Sequence, residues 1–280
     1  SGRFGVTGGG SFTLDRPNTQ LGGLSVQGGS QVNAQRDEYL GASGSSILLD
    51  QGRLNLLNGF MAATPGVFNR PLEIGPGHGA IDTGNNSLAY TGGSISGSGV
   101  LSFIGTPFTL GSDLTLNGVW NSTLEVPVTL TLKGNGRISG DLRVLGALSP
   151  GNSPGVLTVD GSVANTAGST FNLEIDGPGT GVGAGNHDRL VLTGAGSTYT
   201  AGGTLNLMLR GISGEASNTY QPGLGQGFQF ITAPGGILGS YATVSLPAEG
   251  LLPGTRMDLI FGSTSLTAYV ISRKDAKYRN

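Results

Sequence analysis

Cysteine is missing from all 280 residues, which excludes disulfides, thiolate metal sites and thiol catalysis together. Its absence is also compatible with an exported protein, since many of these carry none. The two histidines, His78 and His187, stand far apart in the chain, so no His-based metal cluster is expected. Charge is scarce as well. Charged residues make up 11% of the chain, against an ordinary share of about 25%. With a net charge of -2 and only three lysines (Lys133, Lys274, Lys277), there is no basic footprint for a nucleic acid. No run approaches the roughly eighteen apolar residues of a membrane-crossing helix. The opening SGRFGVTGGG has neither the basic nor the apolar part of a leader, so a soluble chain that is a fragment or a processed form of a longer protein is expected. Helix formers are broken up throughout. Before the last stretch of the chain the longest glycine-free interval is 119–133, which is rich in Val and Thr and interrupted by Pro127.

What is abundant is glycine, 53 residues, nearly three times the usual share of about 7%. It follows no collagen period, and strand formers recur between the glycines, so neither a triple helix nor disorder fits. The stretch LSPGNSPGVLTVDGSV (148–163) shows the pattern in its densest form. Pro150-Gly151 and Pro154-Gly155 turn the backbone twice, a short apolar strand follows, and Asp160-Gly161 turns it again. Similar strands of three to six residues run along the whole chain and are closed by Gly, Asn-Gly or Asp, as at Gly28-Gly29, Asp50-Gln51-Gly52 and Asn58-Gly59. A loop is expected at 61–71. Such strands are stable only when each stacks on its equivalent one coil away, and starts every six to ten residues give three strands per coil of roughly twenty residues. The expectation is an all-β parallel β-helix with almost no α-helix.

The segments IDTGNNSLAYTGGSISGSGVLSFIG (81–105) and 148–163, followed by FNLEIDG, HDRLVLTG, GGTLNLMLRG, the stretch 220–247 and MDLIFGSTSLTAYVI, resemble in kind and order the C-terminal passenger region of bacterial autotransporters and related secreted exoproteins and adhesins. The resemblance covers about residues 70–272. It implies a right-handed parallel β-helix (solenoid) with a C-terminal capping β region, on a bacterial cell surface, outer membrane-associated or secreted. No amphipathic barrel segment follows Ile271. The expected organisation is β-helix coils over 1–176, a Gly-rich loop at 177–186, C-terminal coils and cap over 187–272, and a polar tail at 273–280.

Candidate chemistry is sparse. Glu174 and Asp176 are two apart, as a same-face carboxylate pair of a glycosidase would be, yet Asp176 enters a turn where an Asx cap is routine. His187-Asp188-Arg189 offers an orienting triplet or simply the polar start of a strand. The triplet Arg36-Asp37-Glu38 reads as a solvated loop tip. The stretch 75–82 lacks the recurrence of a calcium-binding Gly-Asp repeat, and Gly97-Ser98-Gly99 and 223–227 lack the helix and lysine of a phosphate loop. No catalytic residue, cofactor or metal is therefore expected. The expected role is structural or adhesive: an adhesin stalk, biofilm matrix component or display stem. Its expected partners are host, neighbouring-cell or matrix glycans and proteins, with head-to-tail self-association possible and no nucleic acid. Alternatives are a filament subunit and a β-helical polysaccharide-degrading enzyme.

Overall fold

A computed structural model describes residues 2–18, 22–57, 60, 66–209 and 220–274. Over these residues the regular structure is almost entirely strand, and helix is confined to short 3-10 turns such as Asp37–Leu40. The strands form long parallel sheets, the architecture of a parallel β-solenoid. There are two compact units, Ser1–Glu125 with Gly136–Ser139, and Val126–Asn135 with Gly140–Asn280. The Gly-rich stretch 177–186 lies inside the second. The turn expected at Asn58-Gly59, residues 61–65 of the expected loop and the tail beyond 274 lie outside the described residues.

In the first unit, each coil lays a strand on its equivalent in the next. Phe4 faces Leu24, Leu24 faces Ile47, Ile47 faces Leu72, Leu72 faces Ile95 and Ile95 faces Leu116, so a coil takes 20 to 25 residues. The pairing is parallel because every strand is followed by a full circuit before its neighbour begins. Side chains alternate, and the burial pattern of Gly52–Leu56 and Gly79–Gly84 follows the alternation. Inward residues such as Val32, Leu54 and Ile81 are fully buried in one column.

A second column is aromatic. Gly66–Phe68, inside the segment 61–71 that reads as a loop, is a strand paired with Leu88–Tyr90. Phe68 stacks on Tyr90 and Phe108, with ring centroids 6.2 and 5.3 Å away. That stacking is what a run broken by Pro65-Gly66 and Pro71 conceals.

In the second unit the register Leu132, Leu148, Phe171, Leu205, Val244 is kept while the spacing grows from 16 to 39 residues. In the 171–205 circuit the extra residues include the turn-rich stretch 177–186, and the inward column holds Leu148, Phe171 and Leu205 fully buried. At its end the chain reverses. Gly227–Thr232 pairs antiparallel with Ser265–Ser272, which pairs antiparallel with Thr255–Phe261. This hairpin covers one sheet edge in the way the expected cap region would. The neighbouring strand Thr243–Ser245 is exposed at all three positions.

Inward and outward residues should respond very differently to truncation. Leu148→Ala is expected to cost about 2–5 kcal/mol of unfolding free energy, and Asn172→Ala, on the outward face, about 1 kcal/mol or less. Urea denaturation of the two variants checks this, and equal losses would contradict the column.

Candidate functional site

The double Pro-Gly turn and the acidic residues singled out from the sequence turn out to be one structure. Strand Thr170–Ile175 lies against Ala147–Pro150, and its Glu174 is brought beside the turn that follows that neighbour. The Ser153 hydroxyl donates to the Glu174 carboxylate. That bond helps hold Ser153 at φ 64°, a left-handed conformation that a non-glycine residue adopts rarely. Asp188 completes the clasp. Its Oδ1 accepts from the Gly155 N–H and its Oδ2 from the Glu174 N–H, both at 2.8 Å. Asn135 Oδ1 accepts from Val156 N–H at 3.0 Å. A Cβ on Gly155 would run into that Asn135 oxygen, and Gly151, at φ 91°, could not carry one without meeting the backbone of Gly155.

The Gly-rich loop is tied back to the same turn. Gly183 N–H donates to Pro154 O at 2.7 Å, and Arg189 N–H donates to Gly155 O at 2.8 Å. Within the loop, Asn186 accepts from Gly181 N–H through Oδ1. It also donates through Nδ2 to the carbonyls of Val182, Gly183 and Ala184. Asn186 therefore supplies the side-chain order that a stretch with five glycines in ten residues cannot supply for itself.

Glu174 is 1% exposed, Asp176 8%, His187 2% and Asp188 0%. The same-face expectation for Glu174 and Asp176 is modified, because the strand ends at Ile175 and Asp176 lies in the turn beyond it. Burial pushes the Asp188 carboxyl well above the usual range, and neighbouring Glu174 and Asp176 add to the shift against the opposing N–H bonds. Burial raises Glu174 too. His187 is shifted down by burial, with Arg189 contributing. Its ring lies edge-on between Phe228 and Phe230, centroids 5.5 and 5.6 Å away, and its Nδ1 has no hydrogen-bond partner among the described residues. Buried carboxylates that grip backbone N–H groups can hold a turn. They are poorly placed to meet a polysaccharide.

Charge is used inward in the first unit as well. Asp37, expected in a solvated tip, accepts from Arg70 Nε and Nη2 at 2.8 and 2.7 Å. Arg70 is fully buried and also donates to the carbonyls of Asp37, Gly41 and Ala42 and to Ser45 Oγ. Arg36 and Glu38 do lie at the surface, 3.8 Å apart.

A different set of residues, not marked by any motif, forms a polar rail on the outward face of the first unit. Thr13, Asn33, Asn55 and Asp82 occupy one column, coil on coil, and Ser11, Gln31, Arg53, Ala80 and Ser102 the next. Asn33 Nδ2 donates to Ser11 Oγ at 2.9 Å, Asn55 Nδ2 to Asn33 Oδ1 at 2.6 Å, and Arg53 Nε to Asn55 Oδ1 at 2.6 Å. Arg53 also pairs with Asp82, whose Oδ1 accepts from Gly84 N–H at 2.8 Å. Depressions of about 460 and 320 Å³ lie over this face and share Arg53. The sequence signal was a polar residue recurring at the same strand position one coil later.

No protein-family model matches the sequence, and no curated protein is similar to it. Among the described residues no group of three or more His, Asp or Glu side chains is arranged to hold a metal ion, and no helix is long and apolar enough to cross a membrane.

The clasp makes opposite pH signatures. Asp188 has a raised folded value, so its contribution is fully present below its ordinary 3.8 and is lost as pH rises through the folded value. His187 has a lowered one, so stability falls as pH drops from its ordinary 6.5 toward the folded value. On moving from neutral to mildly acidic buffer, wild type should therefore lose stability relative to His187→Gln and gain it relative to Asp188→Asn. Urea unfolding at both conditions checks the signs. Asp188→Ala should cost about 2–4 kcal/mol, since two buried N–H groups lose their acceptor.

Proposed function

We propose that the chain is a surface-exposed or secreted bacterial β-solenoid with a structural and adhesive role: a stalk, matrix component or display stem. The observation that carries this reading is the division of labour among polar side chains. The carboxylates that could have served glycan hydrolysis, Glu174, Asp176 and Asp188, are buried, Glu174 and Asp188 in a turn-holding clasp, whereas the outward face presents amides and hydroxyls repeated coil after coil. A glycosidase needs two carboxyl groups flanking the substrate's bond. An adhesive surface needs many modest contacts spread over a solvated area. The resemblance of 81–105, 148–163 and the following segments to autotransporter passengers supports the same reading, including the bacterial surface or secreted location.

A second reading has an observation of its own. Thr243–Ser245 is a sheet-edge strand exposed throughout, with Val244 42% exposed. Unpaired edges of this kind accept further strands, which would suit head-to-tail assembly into a filament.

Single alanine substitutions at Glu174, Asp176, His187 and Asp188 should leave every folded variant able to support bacterial attachment or aggregation. No polysaccharide cleavage should be measurable before or after. Depolymerisation of a glycan by wild type that disappears in one folded variant would replace the adhesive reading with the enzymatic one.

A further inference from the structure

We propose that the outward face of Ser30–Ala34, Gly52–Leu56 and Gly79–Gly84 is a binding groove for uncharged oligosaccharides. This rests on the adhesive reading and gives it a ligand class. The two depressions, about 460 and 320 Å³, meet at Arg53. Each falls within the range of roughly 300–1,000 Å³ typical of small-ligand sites. The chemistry of the lining selects the ligand. Asn33, Asn55, Asn85 and Asn86 each carry both a donor and an acceptor, which is what a sugar hydroxyl, itself both, requires.

Charge argues against an anion. Arg53 is the only Arg or Lys among the residues lining the two depressions, and it is already paired with Asp82. Bases of a single-stranded nucleic acid would need aromatic platforms and excess cations, and no Phe, Tyr or Trp lines either depression. Apolar peptide anchors would find little beyond Leu57 at the rim, 37% exposed.

The groove is preorganised. The relay fixes Asn55 by Arg53 on its own strand and by Asn33 one coil back, and Asn33 by Ser11 one coil further back. The ligand therefore does not have to order them on binding. Equivalent side chains repeat at the strand spacing of roughly 4.8 Å. A polymer of repeating polar units lying across the strands would meet the same groups more than once.

The test uses the full chain, isotopically labelled, titrated with cellohexaose, chitohexaose, maltohexaose and a mannohexaose, with a heparin hexasaccharide as the anionic probe. At least one neutral hexasaccharide should shift the side-chain amide signals of Asn33 and Asn55, with an affinity that does not fall as salt is raised. Asn55→Ala, and independently Asp82→Asn, should weaken that binding about tenfold or more while the fold is kept. Asn206→Ala, outside the groove, should not weaken it. The proposal is overturned if no neutral hexasaccharide moves those amides, if binding shifts only signals elsewhere, or if heparin hexasaccharide binds more tightly and releases with salt. Attachment by displayed protein separates the two ideas: if wild type attaches and Asn55→Ala attaches equally well, the groove fails and adhesion stands. If wild type does not attach, adhesion fails.

Discussion

The described coils depend on the parallel ladder by which a strand hydrogen-bonds to its equivalent one coil later. A strand of three residues, such as Leu72–Ile74, has too few bonds and too little apolar area to persist alone. Sandwiched between Ile47–Asp50 and Ser94–Ser96, it has both backbone edges occupied and its Leu72 and Ile74 buried in columns. The fold tolerates coils of very different length in the second unit for the same reason. The ladder fixes only the paired residues, and the entropy of a longer connecting loop rises slowly with its length.

The ladder also dictates where charge can go. A coil has an inside filled mainly by apolar side chains and corners where the backbone must turn with its N–H groups in need of partners. Asp188 and Glu174 serve such a corner, as Asn135 does from the coil before it. Arg70 does the corresponding work for carbonyls in the first unit. The pair of fully buried Arg70 with partly exposed Asp37 contributes more to defining one geometry for 36–45 than to net stability, because desolvation of Arg70 offsets much of the attraction. On the outward face of the strands from Gly10–Leu14 to Gly79–Gly84, polar side chains are organised into linked rows.

The architecture was legible in the sequence because its causes are local. Glycine and Asx residues mark the corners, and alternation marks the faces. The strands at Ser30–Ala34, Leu88–Tyr90, Val156–Val159 and Thr204–Leu209 fall where alternation between turns puts them. Less legible was anything set by register between coils. Asn33 and Asn55 are ordinary polar residues until a 22-residue circuit places one over the other. Asp37 looks solvated until Arg70 is folded beneath it. The turn 148–163 and the residues around 174–188 each carry a local signal, but their union in one clasp is a long-range fact that no local pattern carries.

Native-state hydrogen exchange across the turn tests the account most directly. The amides of Gly155 and Glu174, held by Asp188, should exchange as slowly as the ladder amides of Leu148 and Phe171 in wild type. In Asp188→Asn, protection should fall at Gly155 or Glu174 and stay at Leu148 and Phe171. Exchange of Gly155 and Glu174 at the rate of an open loop in the wild-type chain would contradict the clasp and the role given to its buried carboxylates.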